Sequence, residues 1–437
     1  QLSHLFILYH KLNSTSRWFL LHLNRRKAVF NSLTMTSSSS RSIIQFPNPS
    51  IDGLVAFFTI FLSLATFFGL NLLCNHQIYQ YMSGLQSAHD SSLSKYDKCD
   101  FADGHWVRVH NTSSYQYTNS SCPLIPDKNN CFKHGRMDRD FLDWKWQPER
   151  CDLASFDAPL FREVVRGKTM GFVGDSVGRN QMDSLLCLLS PMEAPVEIYK
   201  DAKDRNRIYH FGGFNFTLRS IWTKYLVFGD ERNNGTVDLW LGKMDDNWAK
   251  ELHSLDYLII STGQWFFRPM FIHDESKVVA CVYCNDSNVP LKGVQFALQV
   301  TYRAALKYIN ECEICGSLVA IVRTLSPSHF ENGGWNSGGN CKRVEPLSEK
   351  DINFGELESD IRNIEVEEIE KVKKVGKFGV KFELMDVTRA MIIRADGHPG
   401  AFWRDKKKGS NDCVHWCLPG PIDMWNDLLL NVLIKHN

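Results

Sequence analysis

The chain is expected to adopt an α/β fold: a central, mostly parallel sheet with covering helices, a disulfide-rich minor subdomain and an N-terminal transmembrane helix. Three observations predict this. From residue 169 onward, short apolar runs alternate with longer stretches of helical periodicity. Cys, Trp and loop formers crowd the segment before the first of those runs. Nearer the N-terminus, one uncharged apolar stretch reaches the ~20 residues that a bilayer-spanning helix needs.

Residues 1–53 read as a Ser-rich, disordered cytosolic tail centred on Ser37 to Ser40. The first methionine is Met35, so 1–34 also reads as translated upstream sequence. Residues 54–74 are the expected anchor. Lys11, Arg17, Arg25, Arg26, Lys27 and Arg41 precede it and no acid does until Asp52, so the N-terminus is cytosolic and the rest lumenal, a single-pass type II arrangement. A cleaved signal peptide competes, but the run is too long and too far in for one. Residues 75–98 form a polar stem. The globular domain is 99–437, with 99–165 as a minor subdomain capping the crevice.

Strands are expected at 169–173, 237–241, 258–261, 317–322 and 380–384. Helices are expected at 181–189, 293–309, 361–375 and 424–434. The third of these is charged enough to read as a solvated amphipathic helix with Glu367/Lys371 and Glu370/Lys374 pairs. Asp405-Lys406-Lys407-Lys408 reads as an exposed loop. A net charge of +1 over 437 residues argues against nucleic acid as a partner.

Two short words carry the chemistry. Gly174-Asp175-Ser176 puts a serine just past an apolar strand and just before a helix, whose face is Met182, Leu185, Leu186 and Leu189. The free N–H groups of a helix start suit an oxyanion. Asp412-Cys413-Val414-His415 supplies a carboxylate and an imidazole three residues apart. Serine needs a base and that base an orienter, and triads are recognised by role rather than chain order. The alternative for Ser176 is an N-cap, with Asp175 as turn former. Gly263, after the run 258–262, is a candidate second oxyanion donor or a plain loop glycine. Gly174 and Asp175 flank the same site, and Arg179 and Asn180, one turn on, are candidates to hold an acetyl oxygen or a sugar hydroxyl.

Phe172 to Gln181 resembles the serine block of the plant trichome-birefringence-like proteins, and Asp412 to Gly420 with Asp423, Trp425 and Asn426 resembles their C-terminal block. Arg323 to Phe330, Gly338 to Cys341, Cys99-Asp100, Gly135 to Asp138 and Trp144 to Pro148 match as well. The resemblance covers Cys99 to the C-terminus. It implies an SGNH/GDSL-hydrolase-like fold and a Golgi polysaccharide O-acetyltransferase with Ser176 as nucleophile, His415 as base and Asp412 as its orienter. It implies a hemicellulose acceptor and no bound cofactor. An acetyl donor is required: acetyl-CoA, or a carrier delivered by a multispanning membrane partner. Phe330-Glu331-Asn332-Gly333 with Trp335-Asn336, and Cys281-x-x-Cys284, resemble the xyloglucan-acetylating branch more than the xylan branch. An esterase with the same triad and a non-catalytic wall-polysaccharide binder are the competing functions.

Twelve cysteines lie beyond the anchor: Cys99, Cys122, Cys131, Cys151, Cys187, Cys281, Cys284, Cys312, Cys315, Cys341, Cys413 and Cys417. An oxidising lumen favours disulfides over the zinc ribbon that the two CxxC pairs suggest by spacing, so no metal is expected. By the family resemblance, Cys131 pairs with Cys417 and Cys341 with Cys413, clamping the loop of the base. Asn111, Asn119, Asn215, Asn234 and Asn285 begin glycosylation sequons. Trp144, Trp146, Trp265, Trp335 and Trp403 fall in loop-like stretches, and one or two of them are expected to line a glycan groove. His329 and His398 read as structural or groove residues rather than second bases.

Overall fold

The computed structural model describes residues 99–109, 116–348, 356–403 and 410–436. The tail, the anchor at 54–74, the stem, Asn111 and the 405–408 loop lie outside them. Among the described residues no helix is long and apolar enough to cross a membrane.

In chain order the elements are β1 (Gly104–Arg108), β2 (Trp144–Pro148), α1 (Ala158–Val164), β3 (Thr169–Gly174), α2 (Ser176–Leu189), β4 (Val196–Lys200), β5 (Arg207–Phe211), β6 (Phe216–Trp222), β7 (Val227–Glu231) and β8 (Val237–Met244). There follow β9 (Tyr257–Ser261), β10 (Met270–Asp274), β11 (Lys277–Val282), α3 (Val294–Asn310), β12 (Val319–Arg323), α4 (Glu356–Lys374), β13 (Lys381–Met385) and α5 (Met424–Ile434). A seven-stranded sheet in the order β13-β12-β9-β3-β6-β5-β4 forms the centre. From β13 to β6 every neighbouring pair is parallel, and β5 and β4 add an antiparallel edge.

The centre of the sheet follows from composition. Strands β9 and β12 are buried along their whole length, as parallel strands covered on both faces must be. Alternate side chains serve the two faces. Met170, Phe172, Ile259 and Ile321 pack with α2 and α5, while Val173, Leu258, Ile260 and Val322 pack with α3 and α4. Met182, Leu185, Leu186 and Leu189 form the inner face of α2, all fully buried.

The five expected strands and four expected helices are all present, the last helix at its expected bounds and the others with shifted ends. One is placed differently: the strand at 237–241 is β8 of a second, four-stranded sheet ordered β11-β10-β8-β7. An apolar run announces a strand but not its partner, and β8 pairs parallel to β10 and antiparallel to β7. The unexpected strands β1, β2, β4 to β7, β10 and β11 are short, and none is buried along its whole length. In β6 the signal was a period of two, with Phe216 and Leu218 buried against Thr217 and Arg219. Strand β4 is exposed throughout and carries Glu197 and Lys200, as a charged edge strand does.

The segment 99–165 divides. Its first part is the β1–β2 ribbon, stapled by Cys99–Cys151. Helix α1 instead joins the main core, where Phe161 is fully buried beside Phe216. Helix α4 is also less solvated than its charges suggest. Glu367 and Lys371 pair at 3.3 Å, but Glu370 pairs with Lys373 at 2.9 Å rather than with Lys374. Glu368 is buried against Arg303, and Glu365 is fully buried and accepts the Leu325 N–H at 2.8 Å.

Buried carboxyls give the fold a pH signature. Burial pushes Glu365 and Asp427 up to about 8, and Asp183 and Asp423 up to about 6. A carboxyl whose folded pKa lies above its unfolded value favours the native state at low pH and loses that contribution as pH rises through the folded pKa. Burial and mutual repulsion disfavour a charge on the His329 and His398 imidazoles at the same time, which acts in the opposite sense, but four carboxyls outweigh that one proton. The melting temperature is expected to be higher at pH 5 than at pH 8.5, by on the order of 5 °C. Glu365→Gln should remove part of that fall. Thermal melts at the two pH values check this, and a protein more stable at pH 8.5 would refute it.

Candidate active site

Ser176 is the first residue of α2, at the C-terminal end of β3, where open α/β sheets place their sites. The turn before it is tight. Gly174 has φ +158°, and a Cβ there would meet the Ser261 carbonyl oxygen at 1.8 Å. A Cβ on Gly178 would meet Ser261 Oγ at 2.4 Å, so β9 and α2 approach through two glycines. The helix is capped by Asp175, whose Oδ1 accepts the Val177 N–H at 2.9 Å. Asp175 is buried, and burial raises its carboxyl while the Arg323 charge pulls it back. The N-cap is therefore Asp175, which leaves the Ser176 hydroxyl free of that duty.

Gly263 follows β9 with φ +143°, and a Cβ there would strike Leu325 at 2.5 Å. Neither the Ser176 N–H nor the Gly263 N–H donates to an acceptor among the described residues. These two groups, at the ends of adjacent strands β3 and β9, are candidate oxyanion donors.

His415 Nδ1 donates to Asp412 Oδ2 at 2.8 Å, and Asp412 Oδ1 accepts the His415 N–H at 3.0 Å and the Val414 N–H at 3.2 Å. Burial alone would raise the Asp412 carboxyl. The His415 imidazole and these hydrogen bonds outweigh it and hold the carboxyl well below the usual range. With the proton on Nδ1, the lone pair sits on Nε2, which is buried and has no partner among the described residues. That is the atom a general base offers.

Asn180 joins the two halves. Its Oδ1 accepts the Trp416 N–H at 2.7 Å and its Nδ2 donates to the Trp416 carbonyl at 3.3 Å. Asn180 stands one helical turn from Ser176, and Trp416 follows His415, so this pair sets the serine helix against the base loop. Asn180 is thus buried, with both ends of its amide engaged by Trp416. Arg179 is also committed: its guanidinium donates to the Asp204 carbonyl and to Asp204 Oδ1. Gly174 and Asp175 shape the turn. Among the described residues, the Gly263 N–H and Arg179 Nε are the groups of these candidates left without a partner.

The minor subdomain braces the same loop. Asn129 Nδ2 donates to the Trp416 carbonyl at 3.0 Å, and Leu418 N–H donates to the Asn129 carbonyl at 2.9 Å. Arg136 donates to the His398 carbonyl at 3.1 Å and the Asp396 carbonyl at 2.7 Å. Disulfides Cys131–Cys417 and Cys341–Cys413 clamp the loop as the resemblance implies. Cys122–Cys187 ties the subdomain to α2, and each CxxC closes on itself, Cys281 with Cys284 and Cys312 with Cys315. Sequon residues Asn215, Asn234 and Asn285 are exposed and Asn119 is half-exposed. Trp146 is buried with its N–H on the Phe101 carbonyl, while Trp144, Trp265 and Trp403 are half-exposed and Trp335 is exposed. Trp222, in β6 beside Gly174, was not singled out, and the strand that carries it was itself unexpected. Asn129 and Arg136 carried no signal beyond their place in or near a matching block.

A parallel sheet with a serine at a strand end and a His–Asp pair on a C-terminal loop defines an acyl-transfer architecture of the SGNH type. Residues 153–432 match the GDSL/SGNH-like acyl-esterase family found in Pmr5 and Cas1p (PC-Esterase), and residues 97–152 match the PMR5 N-terminal domain. The chain is 57% identical over 343 residues to xyloglucan O-acetyltransferase 4 of Populus trichocarpa, covering 77% of this chain and 81% of that protein. It is 47% identical over 368 residues to xyloglucan O-acetyltransferase 2 of Arabidopsis thaliana, covering 81% and 88%. It is 41% identical over 347 residues to trichome birefringence-like protein 20 of Arabidopsis thaliana, covering 77% and 72%. The chain belongs to the trichome birefringence-like family of PC-Esterase proteins and is an O-acetyltransferase.

Proposed function

We propose that this chain transfers acetyl groups to hydroxyls of xyloglucan through an acetyl-enzyme on Ser176, with its catalytic domain in the Golgi lumen behind a signal anchor at 54–74. One observation carries the mechanism: the buried Nε2 of His415, without a partner among the described residues, held in that tautomer by Asp412 and tied through Asn180 to the helix that begins at Ser176. The acceptor rests on the named activities of the relatives and on the Phe330-to-Asn336 stretch.

In the first half-reaction Ser176 Oγ attacks the acetyl carbonyl carbon of the donor, and His415 Nε2 takes the hydroxyl proton. The oxyanion collects the Ser176 and Gly263 N–H groups. As the carbonyl re-forms, the leaving group departs with the proton from His415. In the second half-reaction a sugar hydroxyl attacks the acetyl-enzyme, and His415 takes and returns one proton in the same way. Asp412 stays ionised and stabilises the imidazolium at each stage. The donor is acetyl-CoA or a carrier brought across the membrane by a multispanning partner.

The test is incubation of the enzyme with a labelled acetyl donor and xyloglucan, xylan, mannan and pectin oligosaccharides. Label is expected on xyloglucan at several times the rate on the others. Label on xylan alone would overturn the acceptor, and label released as acetate would indicate an esterase.

A further inference from the structure

Behind the base loop two imidazoles meet. His398, 3% exposed, directs Nδ1 at the His415 carbonyl at 2.7 Å. His329 directs Nε2 at the Ile392 carbonyl at 2.8 Å. The remaining nitrogens, His398 Nε2 and His329 Nδ1, face each other at 2.7 Å. His398 also stacks on the Trp416 indole at 4.1 Å, and the His329 backbone N–H donates to the Cys413 carbonyl at 3.0 Å. The pair therefore grips the loop at Cys413, His415 and Trp416.

The protons can be counted. A carbonyl only accepts, so His398 Nδ1 and His329 Nε2 each carry a hydrogen. A neutral imidazole has one N–H. Two neutral rings would then set lone pair against lone pair at 2.7 Å. A third proton turns that contact into a bond.

We propose that His329 and His398 share one extra proton in an N–H···N bridge, and that the bridged pair is a positioning device for His415. Its kinetic consequence rests on the reading of His415 as base; the bridge itself does not. Burial and mutual repulsion push both rings down, which excludes two extra protons; the 2.7 Å N···N contact, which two neutral rings in these tautomers cannot make, is what retains one. The charged groups around it set the balance. Asp396 is neutralised by Arg394, Glu331 by Arg343, and Arg136 by Asp138. Asp412 is different: its ion-pair partner among the described residues is His415, which is neutral in the resting base. The bridging proton is the counter-charge available to Asp412 in that state.

As pH rises the bridge loses its proton, the two lone pairs repel, and the loop loosens. The wild-type enzyme is expected to show an alkaline fall in kcat that reports the pair. His329→Asn places a neutral amide donor near Nδ1 and should retain activity while abolishing that fall. His329→Leu removes the bridge and should lower kcat on the order of tenfold with KM within about twofold, as a positioning defect does. The direct measurement is NMR of the full-length enzyme with ¹⁵N-labelled histidine: one N–H···N scalar coupling between two imidazoles, lost in both variants. Detection of that coupling supports the bridge whether or not acetyl transfer is found, which separates this inference from the catalytic one. Two neutral rings without coupling from pH 5 to 8 would overturn it, as would an alkaline fall unchanged in His329→Asn.

Discussion

Ser176→Ala is expected to abolish both the acetyl-enzyme and the acetylated glycan. The substitution deletes the acyl acceptor and little else. The helix keeps its Asp175 cap, the glycines around the turn are untouched, and no disulfide or sequon is altered. His415→Ala should be nearly as severe, because the hydroxyl then has no base. Asp412→Asn keeps the shape of the loop but removes the charge that fixes the tautomer and stabilises the imidazolium. In a well-studied serine-protease triad the matching change costs about 10⁴-fold in kcat. The three residues act as one unit, so the double variants should be hardly worse than Ser176→Ala alone. Intact-mass analysis of the enzyme and labelled transfer to oligosaccharide report the two half-reactions separately. A folded Ser176→Ala enzyme that transfers acetyl at near wild-type rate would end the covalent mechanism.

The second large effect is expected at the clamps. Cys131–Cys417 closes 286 residues and Cys341–Cys413 closes 72, whereas Cys281–Cys284 spans 3. Chain entropy alone then assigns about 6 kcal/mol to the longest loop and about 2 kcal/mol to the shortest. The long bridges also end on the loop that carries His415, and a misplacement of 1 Å in a reacting group can cost about 100-fold. Replacing both members of Cys341–Cys413 by serine should therefore lower the melting temperature and lower kcat sharply. The same change at Cys281 and Cys284 should leave kcat near wild type. Equal losses from the two double variants would show that the clamp does not position the base.

How much of this was legible in the sequence depended on distance along the chain. Residues 169–189 announced a strand, a sharp glycine turn and an amphipathic helix, because each of those signals is local. Asp412 and His415 were legible for the same reason, standing three residues apart. The misreadings share the opposite property. Asn180 looked like a pocket residue because its neighbour in the chain is the serine turn, yet its partner is Trp416, 236 residues on. Glu365 looked solvated because its helix is charged, yet the side chain turns to Leu325. Strand β8 looked like part of the main sheet because hydrophobicity does not name a partner. The meeting of His329 and His398 was invisible, since a histidine pattern carries no information about which backbone carbonyls cap its nitrogens.

The span between Cys131 and Cys417 also has a bearing on how the enzyme is made. Cys131 leaves the ribosome long before its mate is encoded, and at ordinary elongation rates the gap of 286 residues lasts roughly 15 to 60 s. Throughout that interval the early thiol lacks its native mate, while Cys99 and Cys122 have already emerged and Cys151 and Cys187 follow as alternative partners. The nascent chain must therefore be guarded against premature oxidation or be repaired by isomerisation afterwards. Because Asp412 and His415 emerge in the same late stretch as Cys417, the proposed catalytic pair and covalent closure arrive together. A ribosome stalled before that point would release a product that is inert as well as unfinished.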